Sequence, residues 1–384
     1  MFGLRTPIIR ESDDLAAVVC QSVKDAIEND NIQINDGDII GITEAVVARS
    51  QGNYADLDQI AADIKAHFGG GHIGVVFPIL SRNRFAMLLK GIARGAQKVT
   101  VLLSYPGDEV GNELIKWDDV DNKKLNPYSD CLNEAEYRRL FGNEVKHRFT
   151  GVDYVSYYKS LGDNIEIILC ADPRRILEYT DQVIAADIHS RFRTKRALSG
   201  AKKIIGLDDI LTKPVNGSGY NEQYGLLGSN KATEERVKLF PRDCGVFVQK
   251  MQKALMELSG KTVEVLIYGD GGFKDPVGGI WELADPVIAP AFTSGLKGTP
   301  NELKLKYLAD NNFADLSKED ARKAIEKAIQ AKAGVDQTGK MESEGTTPRQ
   351  LTDLLGSLCD LVSGSGDKGT PVVLIQGYFD NYAS

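Results

Sequence analysis

The chain has 384 residues, of which 42% are hydrophobic and 26% are charged, and its formal net charge at pH 7 is −8. The length allows two domains or one core with a large insertion, and the composition is that of a soluble globular protein. The excess of acidic residues argues against general nucleic-acid binding, and the sequence shows neither an apolar run long enough to span a bilayer nor a signal-peptide pattern at its start.

The first 71 residues predict a helix, a strand and a second helix. Ser12 and Asp13 can cap a helix over residues 11–29, in which apolar residues recur at helical spacing. Residues 38–47 are mostly apolar and predict a buried strand that leads into a turn. A second, amphipathic helix is predicted over residues 57–67, because the three glycines that follow it are a strong stop signal.

Strands alternate with helices between residues 73 and 211. The predicted strands lie at 73–78, 99–104, 164–170, 182–186 and 203–206, and the predicted helices lie at 84–94, 174–179 and 191–198. Residues 105–148 are polar, with irregularly spaced aromatic residues and several turn signals. Regular alternation of this kind is typical of an α/β unit with a parallel sheet.

The remainder of the chain predicts fewer elements. A strand is predicted over residues 263–268, charged helix-forming sequence covers 302–333, a helix is predicted over 351–362, and a closing strand over 372–376.

Cysteine and histidine usage argues against a metal centre built on these residues. The five cysteines are scattered and contain no Cys-x-x-Cys, and the four histidines show no metal-ligand spacing. The cysteine pattern predicts a reduced, cytoplasmic protein.

Two glycine-rich motifs, at residues 224–230 and 269–272, carry the strongest functional signal. The second motif puts Asp270 directly after an apolar strand, on a glycine turn whose amides can bind anionic oxygens. Carboxylates held in this way suit Mg²⁺ or Mn²⁺ bound together with phosphate, so Asp270 and Asp275 are predicted metal ligands. Asp285 is a further carboxylate within reach of the same loop. A tight turn without function is typical of the same pattern, and both interpretations stay open.

Two arginines follow the first predicted strand of the α/β unit. Arg82 and Arg84 lie where that strand gives way to a helix, and arginines at a helix N-terminus suit a phosphate or carboxylate group of a substrate. They are therefore predicted to bind a substrate anion. A solvated turn with ordinary surface arginines is the alternative interpretation.

Further charged residues lie between 189 and 209. The segment 189–196 concentrates positive charge and contains His189, a candidate general base, although solvated helix charge explains the same pattern. Asp208 and Asp209 are adjacent carboxylates, which on a helix would point in different directions.

Four blocks of the sequence resemble, in the right order, the gamma-glutamyl ligases that add glutamate to coenzyme F-420. The opening of that family is matched by Pro7–Ile9, Asp13–Leu15 and Asp36–Gly52. Its Gly-Ile-Asp-x-Ser-Asn loop is matched by Gly225–Asn230, its Gly-Lys-x-Val-x-Val-Ile-Ile-x-Asp strand by Gly260–Asp270, and its closing Gly-x-x-x-Pro-Val-Val-x-Val-x-Gly block by Val362–Gly377.

The resemblance implies a mixed α/β fold, with an α+β ligase-like core formed by residues 1–55 and 215–384 and an inserted α/β lobe at 56–214. It also implies a nucleotide site formed by Gly225, Gly228, Ser229, Asn230, Gly271 and Gly272. The metal-binding Asp of the family's loop falls at Leu227, and the Asp of the family's strand falls one place before Asp270.

The resemblance further implies an amide-forming ligase with small-molecule partners. GTP or ATP, with Mg²⁺ or Mn²⁺, would phosphorylate an acceptor carboxylate, and the amine of L-glutamate would attack the acyl phosphate. A homodimer is implied as well. Because Leu227 offers no oxygen to a metal, the alternative is a ligase-fold protein that binds or regulates without transfer chemistry.

Overall fold

The computed structural model describes residues 1–277, 279–281, 284–332, 336–337, 339–343, 349–363 and 366–383. The strands are β1 (Phe2–Leu4), β2 (Ile39–Thr43), β3 (Tyr54–Asp56), β4 (His72–Val76), β5 (Lys98–Leu103), β6 (Leu132–Asn133), β7 (Ile165–Leu169), β8 (Gln182–Ala185), β9 (Lys203–Gly206), β10 (Asn230–Lys231), β11 (Arg236–Lys238), β12 (Glu264–Tyr268), β13 (Ala291–Phe292) and β14 (Val372–Ile375). The helices are α1 (Leu15–Asn29), α2 (Glu44–Ser50), α3 (Leu57–Phe68), α4 (Phe85–Arg94), α5 (Trp117–Asn122), α6 (Glu134–Phe141), α7 (Tyr154–Lys159), α8 (Arg191–Ala197), α9 (Cys244–Ser259), α10 (Leu305–Tyr307), α11 (Lys318–Ala331) and α12 (Leu351–Ser363). Within the described ranges, none of these helices has the length and apolarity needed to cross a bilayer.

The two ends of the chain meet in a five-stranded mixed sheet, in the order β1-β14-β2-β12-β13. Its central strand β2 runs parallel to β12 and antiparallel to β14. Apolar side chains of α1 and α9 pack on one face of this sheet and those of α12 pack on the other, which explains why β2, β12 and β14 are apolar throughout rather than alternating. Since β2 and β12 are parallel, the residues that follow them, Glu44 and Asp270, emerge at the same edge.

The strands between residues 72 and 206 form a second sheet of six strands, in the order β6-β7-β5-β4-β8-β9. Five of them are parallel and only the short β6 is antiparallel to its neighbour. The chain moves outward from β4 in both directions, which is the doubly wound arrangement expected of alternating strands and helices. The mixed α/β fold class is confirmed, whereas the division into two domains stays a prediction.

A small sheet of β3, β11 and β10 and a shared apolar cluster connect these parts. Leu226, Leu227, Val237 and Leu239 belong to the same buried cluster as the strands and helices of the six-stranded sheet. Apolar packing therefore continues past residue 214, where the sequence suggests a boundary.

Two segments differ from the sequence-based expectation. The strand predicted over 38–47 ends at Thr43, because Glu44 begins the helix α2 and is held there by a buried bond from Lys238. Residues 244–259, for which the sequence analysis predicts no element, form the 16-residue helix α9, which ends at Gly260 in the left-handed conformation.

Candidate active site

A partly buried arginine lies between two carboxylates, at the place where the two large sheets approach each other. The Arg84 guanidinium donates hydrogen bonds to Asp285 Oδ1 (2.7 Å) and Asp270 Oδ2 (2.9 Å). The Asp285 side chain is 1% exposed, that of Arg84 17% and that of Asp270 29%. Asp285 Oδ2 also accepts a hydrogen bond from the backbone N–H of Asp270 (2.8 Å), which fixes the glycine turn after β12. The carboxylate of Asp270 thus faces a cation that the chain itself supplies.

Two further carboxylates complete the cluster. Glu44 accepts hydrogen bonds from Lys238 Nζ on both oxygens, at 2.9 and 2.8 Å, and both side chains are buried. Asp360, on α12, accepts a hydrogen bond from the backbone N–H of Gly271 (3.0 Å). The site therefore combines residues from the ends of β2 and β12, from α12, and from the loop before α4.

Burial and mutual repulsion shift the proton equilibria of this cluster. Burial, and next the neighbouring Asp285, raise the pKa of Asp270 well above its usual range, against the opposing effect of Arg84. Burial raises the pKa of Asp360 and of Glu44 as well. Burial acts to lower the pKa of Arg84, but the carboxylates of Asp285 and Asp270 outweigh this effect and raise the pKa above its ordinary value. The guanidinium is therefore charged. The cluster contains more carboxylates than cations, and this excess of negative charge opposes ionisation of Asp270, Asp360 and Glu44.

The glycines of the 224–230 loop allow close packing. Gly225 has φ +50°, and a Cβ there would lie 2.5 Å from the carbonyl oxygen of Ile210. Gly228 has φ +71°, and a Cβ there would lie 2.5 Å from the ring of Phe240. Leu227 is 1% exposed and belongs to an apolar cluster. Protein atoms thus occupy the space into which a side chain at Gly225 or Gly228 would extend.

The amides of the second glycine turn already have partners. The backbone N–H groups of Gly271 and Gly272 donate to Asp360 and to Ser357 Oγ, each at 3.0 Å. Both acceptors lie on α12, so these bonds attach the turn to the helix. The expected role of the two glycines in nucleotide binding stays a prediction.

Ser229 and Asn230 occupy different environments. Ser229 is buried, and its hydroxyl donates a hydrogen bond to the backbone carbonyl of Leu226 (2.7 Å). Asn230, in contrast, lies in the wall of an open groove of about 660 Å³. The groove is lined by Arg10, Glu11, Ala45, Val46, Arg49, Tyr54, Asn230, Lys231, Ala232, Thr233, Arg236 and Lys238.

Positive charge dominates the lining of this groove. Lys238 is neutralised by Glu44, and Arg236 lies 3.6 Å from Asp56. The side chains of Arg10 and Arg49 form no hydrogen bond or ion pair with any residue that the structure describes. Two guanidinium groups are therefore available to an anion in the groove.

The other predicted residues do not join the cluster. Arg82 is exposed and shares neither of the Arg84 carboxylates. Asp275 accepts a hydrogen bond from the backbone N–H of Val277 (3.0 Å), which is the geometry of a turn cap.

The basic segment 189–196 and the two adjacent carboxylates come together elsewhere. Arg191 donates to Asp208 (2.8 Å) and Lys195 to Asp209 (2.7 Å), at one edge of the six-stranded sheet. These ion pairs agree with the interpretation of the segment as ordinary helix charge.

The donor set does not fit the divalent metal that the resemblance implies. In the described part of the chain, no three His, Cys, Asp or Glu side chains are placed to hold one ion. Leu227 contributes buried hydrocarbon at the position where the resemblance implies a carboxylate, and Arg84 is bonded to Asp270 and Asp285. The metal roles of Asp270 and Asp275 stay predictions, without a surrounding ligand set.

Comparison with known families assigns the chain. The model of the F420-0:gamma-glutamyl ligase family matches residues 3–377. The chain belongs to this family. A search of curated proteins finds no match. Membership of the gamma-glutamyl ligase family supports a ligase function, and the matched range extends from β1 to beyond β14.

Sequence reasoning singled out Asp270, Asp285 and Arg84 but missed the rest of this ligase-family cluster. Glu44 lies in an apolar run, and Asp360 follows the apolar residues of α12. A carboxylate inside an otherwise buried element needs a partner, so these positions carried a usable signal.

Proposed function

We propose that this protein is an amide-forming ligase that joins an acceptor carboxylate to the amine of L-glutamate with the use of GTP or ATP. The observation that supports this most directly is the family match over residues 3–377. The basic groove supports it from chemistry, because nucleotide phosphates and substrate carboxylates are anions that guanidinium groups bind.

The proposed reaction has two steps. An oxygen of the acceptor carboxylate attacks the terminal phosphorus of the nucleotide, the bond to the bridging oxygen breaks, and an acyl phosphate and a nucleoside diphosphate form. The neutral amine of L-glutamate then attacks the acyl carbon, phosphate leaves, and the amine proton passes to water. Positioning and electrostatic stabilisation supply most of the catalysis in such phosphoryl transfers.

The groove and the carboxylate cluster are neighbours, which suggests how one site could serve both steps. Lys238 lines the groove and bonds to Glu44, and Glu44 interacts electrostatically with Arg84. In this proposal Arg10 and Arg49 bind the phosphates of the nucleotide, and the acceptor carboxylate approaches Arg84.

The first test is nucleotide binding. Thermal-shift and calorimetric titrations with GTP and with ATP should show binding by the wild type, and the double variant Arg10→Ala, Arg49→Ala should bind at least tenfold more weakly, which is about 1.4 kcal/mol. Lys327→Ala is the matched control, because Lys327 is exposed on α11, away from the groove residues. Equal affinity of the double variant and the control would refute the role of the groove.

The second test is chemistry. Phosphate release that requires nucleotide, L-glutamate and a carboxylate acceptor together, with a product of the mass of the amide, would establish the ligase. Phosphate release without any amide product would contradict the second step.

One observation favours a different function. The buried Leu227 replaces the carboxylate of the family's loop, which is compatible with a ligase-fold protein that binds a nucleotide or carboxylate without transfer chemistry. Nucleotide binding without phosphate release under any acceptor condition would favour this alternative.

A homodimer is part of the proposal. Light scattering should then give twice the chain mass of 42.0 kDa. A mass of one chain at micromolar concentration would contradict it.

A further inference from the structure

Arg84 comes from a different part of the fold than the carboxylates it binds. It lies between β4 of the six-stranded sheet and helix α4, whereas Asp270 and Asp285 follow β12 of the mixed sheet. The two parts of the fold thus supply opposite charges to one cluster. The segment between β2 and β12 therefore contributes the cation of this cluster.

The position of the guanidinium resembles that of a bridging cation. Arg84 bonds one carboxylate through each of its two terminal nitrogens, at 2.7 and 2.9 Å. A divalent metal held between Asp270 and Asp285 would occupy the space between the same two carboxylates in which the guanidinium lies. Placing a metal there would put it against a charged arginine, and the repulsion between two cations in a poorly hydrated site is large.

The arginine also keeps donors available. A guanidinium has five N–H donors, and two of them bond to Asp270 and Asp285. The side chain is 17% exposed, so part of it can be reached from outside. A phosphoryl or carboxylate oxygen can be bound by the remaining donors without a metal.

We propose that Arg84 takes the place of a divalent metal between Asp270 and Asp285, so that this family member presents a fixed guanidinium to the anionic group of its substrate. The inference rests on the proposed function only for the identity of that group. Its test measures metal binding, whereas the proposed function is tested by amide formation, so the two can fail separately.

The first experiment titrates the wild type with MnCl₂, followed by calorimetry and by electron paramagnetic resonance of free Mn²⁺. We expect the wild type and Asp270→Asn to bind the same amount of Mn²⁺ at every concentration up to about millimolar. Binding by the wild type that Asp270→Asn weakens tenfold or more would overturn the proposal, because Asp270 would then hold a metal beside Arg84.

The second experiment removes the arginine. Arg84→Met keeps a long side chain but leaves Asp270 and Asp285 without a cation. We expect this variant to have a lower melting temperature than the wild type, and Mn²⁺ at about a hundred times its dissociation constant should raise that temperature by about 3 °C. A folded Arg84→Met variant that does not respond to Mn²⁺ would overturn the proposal.

Lys238→Met is the matched control. Lys238 is a cation near the same cluster and is buried more deeply than Arg84, but among the described residues it bonds one carboxylate, that of Glu44. We expect Lys238→Met to have a lower melting temperature than the wild type, and we expect Mn²⁺ not to raise it. If Mn²⁺ raises the melting temperatures of Lys238→Met and Arg84→Met equally, the proposal is overturned, because the response would not be specific to the space between Asp270 and Asp285. If Arg84→Met does not fold with or without Mn²⁺, the comparison of the wild type with Asp270→Asn decides the question alone.

Discussion

Leu227→Asp tests whether the 224–230 loop can hold the metal-binding carboxylate that the resemblance implies at this position. The substitution restores a carboxylate at the position of the family's metal-binding Asp, but it does so inside an apolar cluster in which Leu227 is 1% exposed. Loss of the leucine packing alone costs about 2–5 kcal/mol. Keeping the new carboxyl neutral at pH 7 requires a pKa about 3 units above its usual value, which costs about 4 kcal/mol more.

The total cost is about 6 kcal/mol or more, which approaches the whole unfolding free energy of many proteins. Urea unfolding, followed by circular dichroism at pH 5 and pH 7.5 with and without MnCl₂, measures it. Leu227→Asn is the control, because it loses the same packing but carries no charge. We expect Leu227→Asp to be the less stable of the two at pH 7.5, to approach the control at pH 5, and to ignore Mn²⁺. Equal stability at pH 7.5, or stabilisation by Mn²⁺, would refute the argument from burial.

Three further predictions concern other buried positions. Asp187 is fully buried, and among the described residues one of its carboxylate oxygens has no hydrogen-bond partner. Burial raises the pKa of Asp187 to about 6 from an ordinary 3.8. Between these two pH values the native state therefore binds more protons than the unfolded state, and the contribution of Asp187 to stability falls as the pH rises. Asp187→Asn should therefore exceed the wild type in stability at pH 7 by up to about 3 kcal/mol and lose this pH dependence, and urea unfolding at pH 4 and pH 7 that shows no gain would contradict it. Gly228→Ala should lower the unfolding free energy by about 2–4 kcal/mol, because the backbone at Gly228 is left-handed and the new methyl group would meet the ring of Phe240. If the variant is as stable as the wild type, the loop can move aside to accept the methyl group. Asn53 is fully buried and exchanges hydrogen bonds with the backbone of Tyr220 at 3.1 and 3.0 Å. Asn53→Ala should therefore lower the unfolding free energy by about 3 kcal/mol. A change of the melting temperature below about 1 °C would indicate that water replaces the lost amide.

Hydrophobic periodicity was sufficient to predict much of the architecture. The alternating segments between 73 and 206 form the six-stranded sheet, because short apolar strands with intervening helices have few alternatives to a parallel sheet. Residues 44–47, the end of the predicted strand, form the start of helix α2 instead, because a short apolar run fits either structure. Gly260, a residue type that often follows the last turn of a helix, is the local signal that marks the end of α9.

The candidate site could be predicted only in part, because its contacts join residues far apart in the sequence. Asp270 was singled out from its place after a strand, but its partner Arg84 lies 186 positions earlier, and nothing local connects the two. Isolated glycine motifs are equally ambiguous: Gly228 has the residue type of a phosphate loop, yet its conformation serves packing against Phe240. Sequence spacing shows which groups are available, and only the fold shows which of them meet.

The central strand of the mixed sheet has a consequence for how the chain folds as it is synthesised. β2 emerges early from the ribosome but pairs with β12 and with β14, the last strand, whereas the strands of the six-stranded sheet are all complete at residue 206. The roughly 60 residues between the ends of β9 and β12 take on the order of 3–12 s to make. During that time the apolar β2 has no partner strand, while the six-stranded sheet can already form. Limited proteolysis of ribosome-bound chains from which β9 has emerged but β12 has not should cleave residues 1–50 and spare residues 72–206, and equal protection of both segments would rule out this order of events.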